Sequence, residues 1–433
     1  MADTVLADVC EAIVDCEHKT APVSGAGYPS IRTTNIKNGR IDLATCARVD
    51  RQTYEAWTRR RRPAPGDLVL AREAPVGEVG IVPVGERVVL GQRTVLICPD
   101  RKRTDPHYLL FVLLAPEMRR RMTSKAGGST VDHLNMRDIR SLPLPAFPSL
   151  RTQRAIAAVL SALDDKIEVN RKRARVLEGI ARAMFTSWFV DFDPVRRKAA
   201  GEPTGLPAAI ASLFPERLVD SPIGEVPEGW NVIPLPEAFE INPTRTLRRG
   251  ELAPYLDMSS MPTQGHAPAQ WVQREVGSGT RFINGDTLVA RITPCLENGK
   301  TAFVDFLGDG EVAWGSTEYI VLRPRPPLPA HFAYLLARSE GFRTFAIQAM
   351  TGSSGRQRVP ASSLAHFAIA VPPRPADGIA TQFGELVEPL FARMSTAMSQ
   401  SRTLAALRDT LLPKLISGEL RIADAEQIVG RAV

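Results

Sequence analysis

The chain lacks the marks of most enzymatic chemistry. Its five cysteines (Cys10, Cys16, Cys46, Cys98 and Cys295) are odd in number and form no Cys-x-x-Cys pair. That argues against a disulfide framework or a zinc site and for reduced, cytoplasmic thiols. The six histidines show no pair at metal-ligand spacing. There is no run of about 18 uncharged apolar residues, so no membrane span is expected. The N-terminal MADTVLADVCEAIVDCEHK carries acids early and has no signal-peptide pattern. Catalytic motifs are missing as well. No Asp/Asn-Pro-Pro-Tyr/Phe tetrapeptide of an amino-methyltransferase occurs, and no Gly-rich cofactor fingerprint follows an expected strand. Gly299-Lys300-Thr301 imitates the end of a phosphate-binding loop, but Pro294 stands where that loop needs glycine. Glu17-His18-Lys19 imitates half of a nuclease metal site without the Pro-Asp that should precede it. No Ser/His/Asp constellation is legible. The chain reads as catalytically empty, with no cofactor or metal of its own.

What the chain does have, it has twice. Ile156, Leu163, Asn170, Leu177 and Met184 recur every seven residues, as do Phe383, Leu390, Ala397, Leu404 and Leu411. One offset relates the series, 383 − 156 = 227 and 411 − 184 = 227. The heptad partners Leu160, Ile167 and Trp188 match Val387, Met394 and Leu415 at the same offset. A narrow apolar stripe at 3.5-residue spacing is a coiled-coil seam. Each series therefore predicts one long helix, over 151–192 and 377–420, of which roughly 35 residues at 1.5 Å each make a rod of about 50 Å. The simplest way to bury both seams is to pack the helices on each other. Asn170 in the seam either sets register or sits solvated at an open stretch. Arg408 makes the second seam less than dry.

The segments before the helices repeat too. Gly66-Asp67 pairs with Gly285-Asp286 at 285 − 66 = 219, so offsets drift there while the framework persists. Strand-like runs with glycine breaks predict mixed α/β structure over 1–150 and 231–376. A Pro/Gly/Ala-rich linker covers 193–230, with Trp230 anchoring the second domain, and 421–433 reads as a tail. The fold class is thus α+β: two repeated α/β domains, each followed by a long helix, the helices pairing as an antiparallel coiled coil.

Net charge is +7, with +5 in residues 1–150 (22 basic, 17 acidic) and +2 in 231–376 (14 basic, 12 acidic). This permits a polyanionic partner. Basic clusters occur in both copies: Arg59 to Arg62, Arg101 to Arg103, Arg119 to Arg121 with Lys125, Arg245/Arg248/Arg249, and Arg356-Gln357-Arg358. Arg forks onto guanine edges, Gln onto adenine, and Lys or Arg neutralise phosphates. Candidate DNA contacts are Arg59, Arg60, Arg72, Arg93, Arg101, Lys125, Arg248, Arg291, Lys300, Ser354, Arg356, Gln357 and Arg358.

The helix-end segments FTSWFVDFDPV (185–195) and LLPKLISGELRI (411–422), with IGEVPEGW (223–230), resemble the specificity subunit (HsdS) of type I restriction-modification systems. The resemblance spans essentially the whole chain in the order domain, helix, domain, helix. It implies two target-recognition domains reading a bipartite, non-palindromic DNA site. It also implies an antiparallel helix pair that docks two adenine methyltransferase subunits, joined by restriction subunits. S-adenosylmethionine, ATP and Mg would belong to those partners. Ile156, Leu163, Asn170, Leu177, Met184, Trp188, Phe383, Leu390, Leu404, Leu411 and Leu415 become the expected coiled-coil and docking residues. The first helix ends in SWFVDF where the second has PKLISG, so the docking ends need not be symmetric. The competing reading is a stand-alone two-domain DNA-binding regulator; a fused enzyme is disfavoured by the missing motifs.

Overall fold

The computed structural model describes residues 4–126, 133–145, 147–353, 355–373 and 378–433. They form two compact units, one of 1–167 with 403–433 and the other of 168–402. The unit boundaries cross both long helices rather than falling at their ends. Each helix therefore gives one half to each unit.

In the first unit a four-stranded antiparallel sheet has the order Cys10–Asp15, Thr94–Pro99, Leu68–Arg72, Val76–Ile81. A smaller sheet orders Ala47–Val49, Tyr28–Ile31 and Val89–Leu90, the last pair parallel. The strand Thr94–Pro99 is buried along its whole length. A central strand covered on both faces reads as a continuous apolar run rather than an alternation. Helices Pro106–Leu114 and Pro116–Lys125 cover one face. Asp105 caps the first of these by accepting from the Tyr108 amide at 3.0 Å.

The second unit repeats this plan. Its four-stranded sheet orders Phe239–Ile241, Tyr319–Pro324, Thr287–Ala290 and Thr301–Phe303. Its second sheet orders Val272–Glu275, Leu252–Leu256, Ala313–Gly315 and Thr280–Phe282, again with one parallel pair. Helices Ala330–Arg338 and Glu340–Gln348 follow. The Gly-Asp pairs form matching turns. Gly66 and Gly285 have φ of 86° and 87°, which an L side chain rarely adopts. Asp67 and Asp286 then accept from the amides of Ala64 and Ile283, at 2.9 Å in both.

The long helices run over Leu150–Phe189 and Ile379–Ser417. In the first unit Ile156, Leu160, Leu163 and Ile167 share a core with Leu404, Leu411, Leu412 and Leu415. In the second unit Phe185 and Trp188 meet Phe383 at ring distances of 6.2 and 5.7 Å. Asn170 is 4% exposed and donates to Gln400 at 3.4 Å, so it is buried and partnered rather than solvated. Arg408 reaches Asp164 at 2.6 Å. Pairing therefore runs antiparallel in both units, early residues of one helix meeting late residues of the other.

Three expectations need correction. The segment 193–230 is not a bare linker: it holds helix Asp193–Ala199 and the hairpin Leu218–Ser221/Gly224–Pro227. Val195, Phe214, Val226 and Trp230 sit in the second unit's core, and that burial is why the segment is ordered. The tail forms helix Ile422–Ala432, whose Ala425 and Val429 pack beside Leu412 and Leu415 in the first unit's core. The seam side chains do not offer a docking surface. Ile156, Leu163, Asn170, Trp188, Phe383, Leu404, Leu411 and Leu415 are buried within the chain, and Leu177, Met184 and Leu390 are half-buried.

Candidate nucleic-acid interface

The strands Leu68–Arg72 and Thr287–Ala290 hold equivalent places, and each leads into an arginine, Arg72 and Arg291, related by 291 − 72 = 219. Each arginine meets a carboxylate, supplied by the edge strand Cys10–Asp15 in the first unit and by the residue before the adjacent strand Tyr319–Pro324 in the second. Arg72 reaches Asp15 at 2.8 Å. Arg291 lies 3.6 Å from Glu318, which Arg358 also grips at 2.8 and 3.0 Å. Hydrogen bonding to Glu318 holds the Arg358 guanidinium above its ordinary pKa. Bridges Glu73↔His133 and Ile292↔Arg358 attach the following loop to the same place in both copies. Arginine and loop attachment thus recur at equivalent positions, and a carboxylate meets each arginine from a different strand.

Around the first of these points several of the expected contact residues converge. Arg59 and Arg60 approach Glu17 at 3.9 and 3.8 Å. Arg93 pairs with Glu73 at 3.1 Å. Around the second gather Arg356, Gln357 and Arg358: the Arg356 carbonyl accepts from Arg358 at 3.3 Å, and the Gln357 carbonyl accepts from the Thr293 amide at 3.0 Å. The Arg72–Asp15 pair is largely buried, whereas the Arg59, Arg60 and Arg93 guanidinium groups are exposed and their pairs contribute little stability. They can still hold a guanidinium fork outward until a phosphate or base edge replaces the carboxylate.

Other expected contacts lie elsewhere. Arg101 sits at the opposite end of the central strand, donating to the Pro65 carbonyl at 2.6 Å beside Asp67. Lys300 donates to the Met258 carbonyl at 2.6 Å. Both fasten the chain's own loops. The bond to Met258 also takes the Lys300 ammonium away from the phosphate-loop role that its sequence imitates. Lys125 is the exposed last residue of its helix, and Arg248 is exposed on a turn. Ser354 lies outside the described residues, as do 127–132 of the equivalent loop in the first copy.

Asp15, Cys16 and His18 place ligand-type atoms within 4.8 Å of one another. They suit a metal badly. Arg72 already occupies the Asp15 carboxylate, and burial pushes the Cys16 thiol up in pKa, which keeps it protonated.

The residue that sequence reasoning missed is Arg338. It is buried, and it donates to the carbonyls of Thr263, Gly265, Gly299 and Thr301 at 2.7 to 3.0 Å. It also donates to the Tyr334 hydroxyl at 3.1 Å, which in turn donates to Glu178 of the first long helix at 2.5 Å. Nothing in an ordinary helix C-terminus, LLARSE, announces this knot.

Residues 6–179 match the family described as type I restriction modification DNA specificity domain. The chain is similar to type I specificity subunits. It is 25% identical over 373 residues to the type I restriction enzyme MjaIX specificity subunit of Methanocaldococcus jannaschii, covering 83% of this chain and 78% of that protein. It is 36% identical over 155 residues to the EcoEI specificity subunit of Escherichia coli, covering 34% of this chain and 26% of that protein. The fold of this chain resembles the crystal structure of a type I restriction-modification S subunit from M. genitalium, with TM-score 0.52 and 15% identity over 96% of this chain and 95% of that one. These relatives are described as specificity subunits, and this chain carries one arginine point in each of its two units. Among the described residues no helix is long and apolar enough to cross a membrane.

Proposed function

We propose that this chain is the non-catalytic reader of a type I restriction-modification complex, acting in the cytoplasm on a bipartite, non-palindromic DNA site. The observation that carries the reading is the duplicated arginine point. The same fold, used twice, brings an arginine to the same strand end, and each arginine is met by a carboxylate drawn from a different strand in the two copies. Two similar domains suit the local dyad of DNA, and their divergence suits two different half-sites. The long helices then set the unread gap. A rod of 40 residues spans about 60 Å, or on the order of 17 base pairs.

The proposed partners are two methyltransferase subunits, joined by restriction subunits, and these partners would supply S-adenosylmethionine, ATP and Mg. The first long helix offers them a surface outside its buried seam. Val169, Val176 and Ile180 are 60, 56 and 45% exposed and recur at helical spacing along one stripe. A stand-alone regulator would have no use for an exposed apolar stripe of this kind.

The test is selection from a random duplex library by the full chain with its methyltransferase partners. Arg72→Ala and Arg291→Ala should each degrade one half of the recovered motif and leave the other intact. Recovery of no motif by the wild-type complex would defeat the reading.

A further inference from the structure

The strand Val272–Glu275 is an edge strand of the second unit's smaller sheet, and all four of its residues are exposed. Leu252, opposite Glu275, and Val272 are 68 and 55% exposed. An open edge bearing apolar side chains invites a partner. Alternation puts Val272 and Arg274 on one face and Gln273 and Glu275 on the other. Arg274 lies over the rings of Tyr255 and Trp314, at 4.7 and 5.8 Å from their centroids. The rings themselves are 4.5 Å apart, so they form one platform. Among the described residues Arg274 has no carboxylate partner, unlike Arg72, Arg291 and Arg358.

A basic turn is fastened beside this strand. Gly250 donates to the Val276 carbonyl at 3.0 Å and Val276 to the Glu251 carbonyl at 2.8 Å. This holds Arg248 and Arg249, both exposed and without a carboxylate partner among the described residues, next to the edge. Glu251 and Glu275 are the acids nearby, and Glu275 belongs to the face opposite Arg274. In the first copy the edge strand Ala47–Val49 carries Arg48 instead, and Glu86 holds it at 2.8 Å. The free, ring-supported arginine is thus particular to the second domain.

We propose that the edge strand Val272–Glu275 is a DNA-contacting element of the second domain, with Arg274 reading a base edge and Arg248 and Arg249 neutralising phosphates. This rests on the reading given under Proposed function and names residues for it. A strand fits the major groove, and an arginine fork there pairs with the two acceptors of guanine. The aromatic platform lowers the conformational cost of presenting that fork. The charge of this edge and its turn favours a duplex over a protein strand as occupant.

The experiment is duplex selection from a random library by the full chain, alone and with its methyltransferase partners, followed by affinity measurement on the recovered site. Arg274→Ala should weaken binding about ten- to a hundred-fold and make one position of one half-site degenerate. Arg274→Lys should keep most of the salt dependence while losing the same discrimination. Arg248→Ala and Arg249→Ala should weaken all sequences alike and each lower the salt slope by about one. Circular dichroism of each variant guards against misfolding. If Arg274→Ala and Arg274→Lys recover the wild-type motif at wild-type affinity, this proposal is wrong and the broader reading survives. If the wild-type protein recovers no motif, both fall together.

Discussion

Arg338 shows how one side chain can hold a domain together. Its guanidinium serves four carbonyls, and its bonds to those of Gly299 and Thr301 are buried. Replacing it with methionine fills similar volume but strands those acceptors. The expected cost is about 3–5 kcal/mol, read as a lower urea midpoint of the second unit. His331 sets an acid limit on the same unit. It lies between Phe303 and Phe391, at ring distances of 4.7 and 4.2 Å, and burial lowers its pKa to about 4. Because the unfolded chain takes up the proton first, near pH 6.5, stability is full above that value. It falls as pH drops toward 4, by up to about 3 kcal/mol. His331→Phe should flatten this part of the curve of stability against pH. A variant with the same acid dependence as the wild type would show that other groups set it. Neither role was legible in sequence, because a buried arginine or histidine is defined by partners distant in the chain.

The elements were far more legible. A seven-residue stripe kept at one offset can be explained only by two matched helices, and their ends fall within a few residues of those expected. The drifting offsets in the domains reflect loops that change length around a constant sheet order. The hairpin at 218–227 and the helix at 422–432 were hidden because their order comes from packing into a core rather than from local pattern. Leu163 and Trp188 signalled a seam correctly but a docking surface wrongly. A periodic apolar residue marks burial without naming what covers it. The proposed docking role rests instead on side chains of the outward face of the first helix. Val176→Asp should leave the melting temperature nearly unchanged, a surface change of within about 0.5 kcal/mol. It should also reduce co-purification of the methyltransferase. Retention of full co-purification would move the docking surface elsewhere.

At the scale of the whole molecule, helices and domains behave differently. The helices repeat at a constant spacing, while the domains keep a framework and vary its surface. Removing one heptad from each long helix should shorten the gap by about three base pairs and leave both half-sites unchanged. The central claim, that this one chain determines where a complex modifies DNA, is tested most directly by sequencing the methylome of cells with and without it. Loss of a single two-part adenine-methylation motif, with every other methylated motif intact, is the expected result. An unchanged methylome in cells whose partner methyltransferase is active would contradict the account.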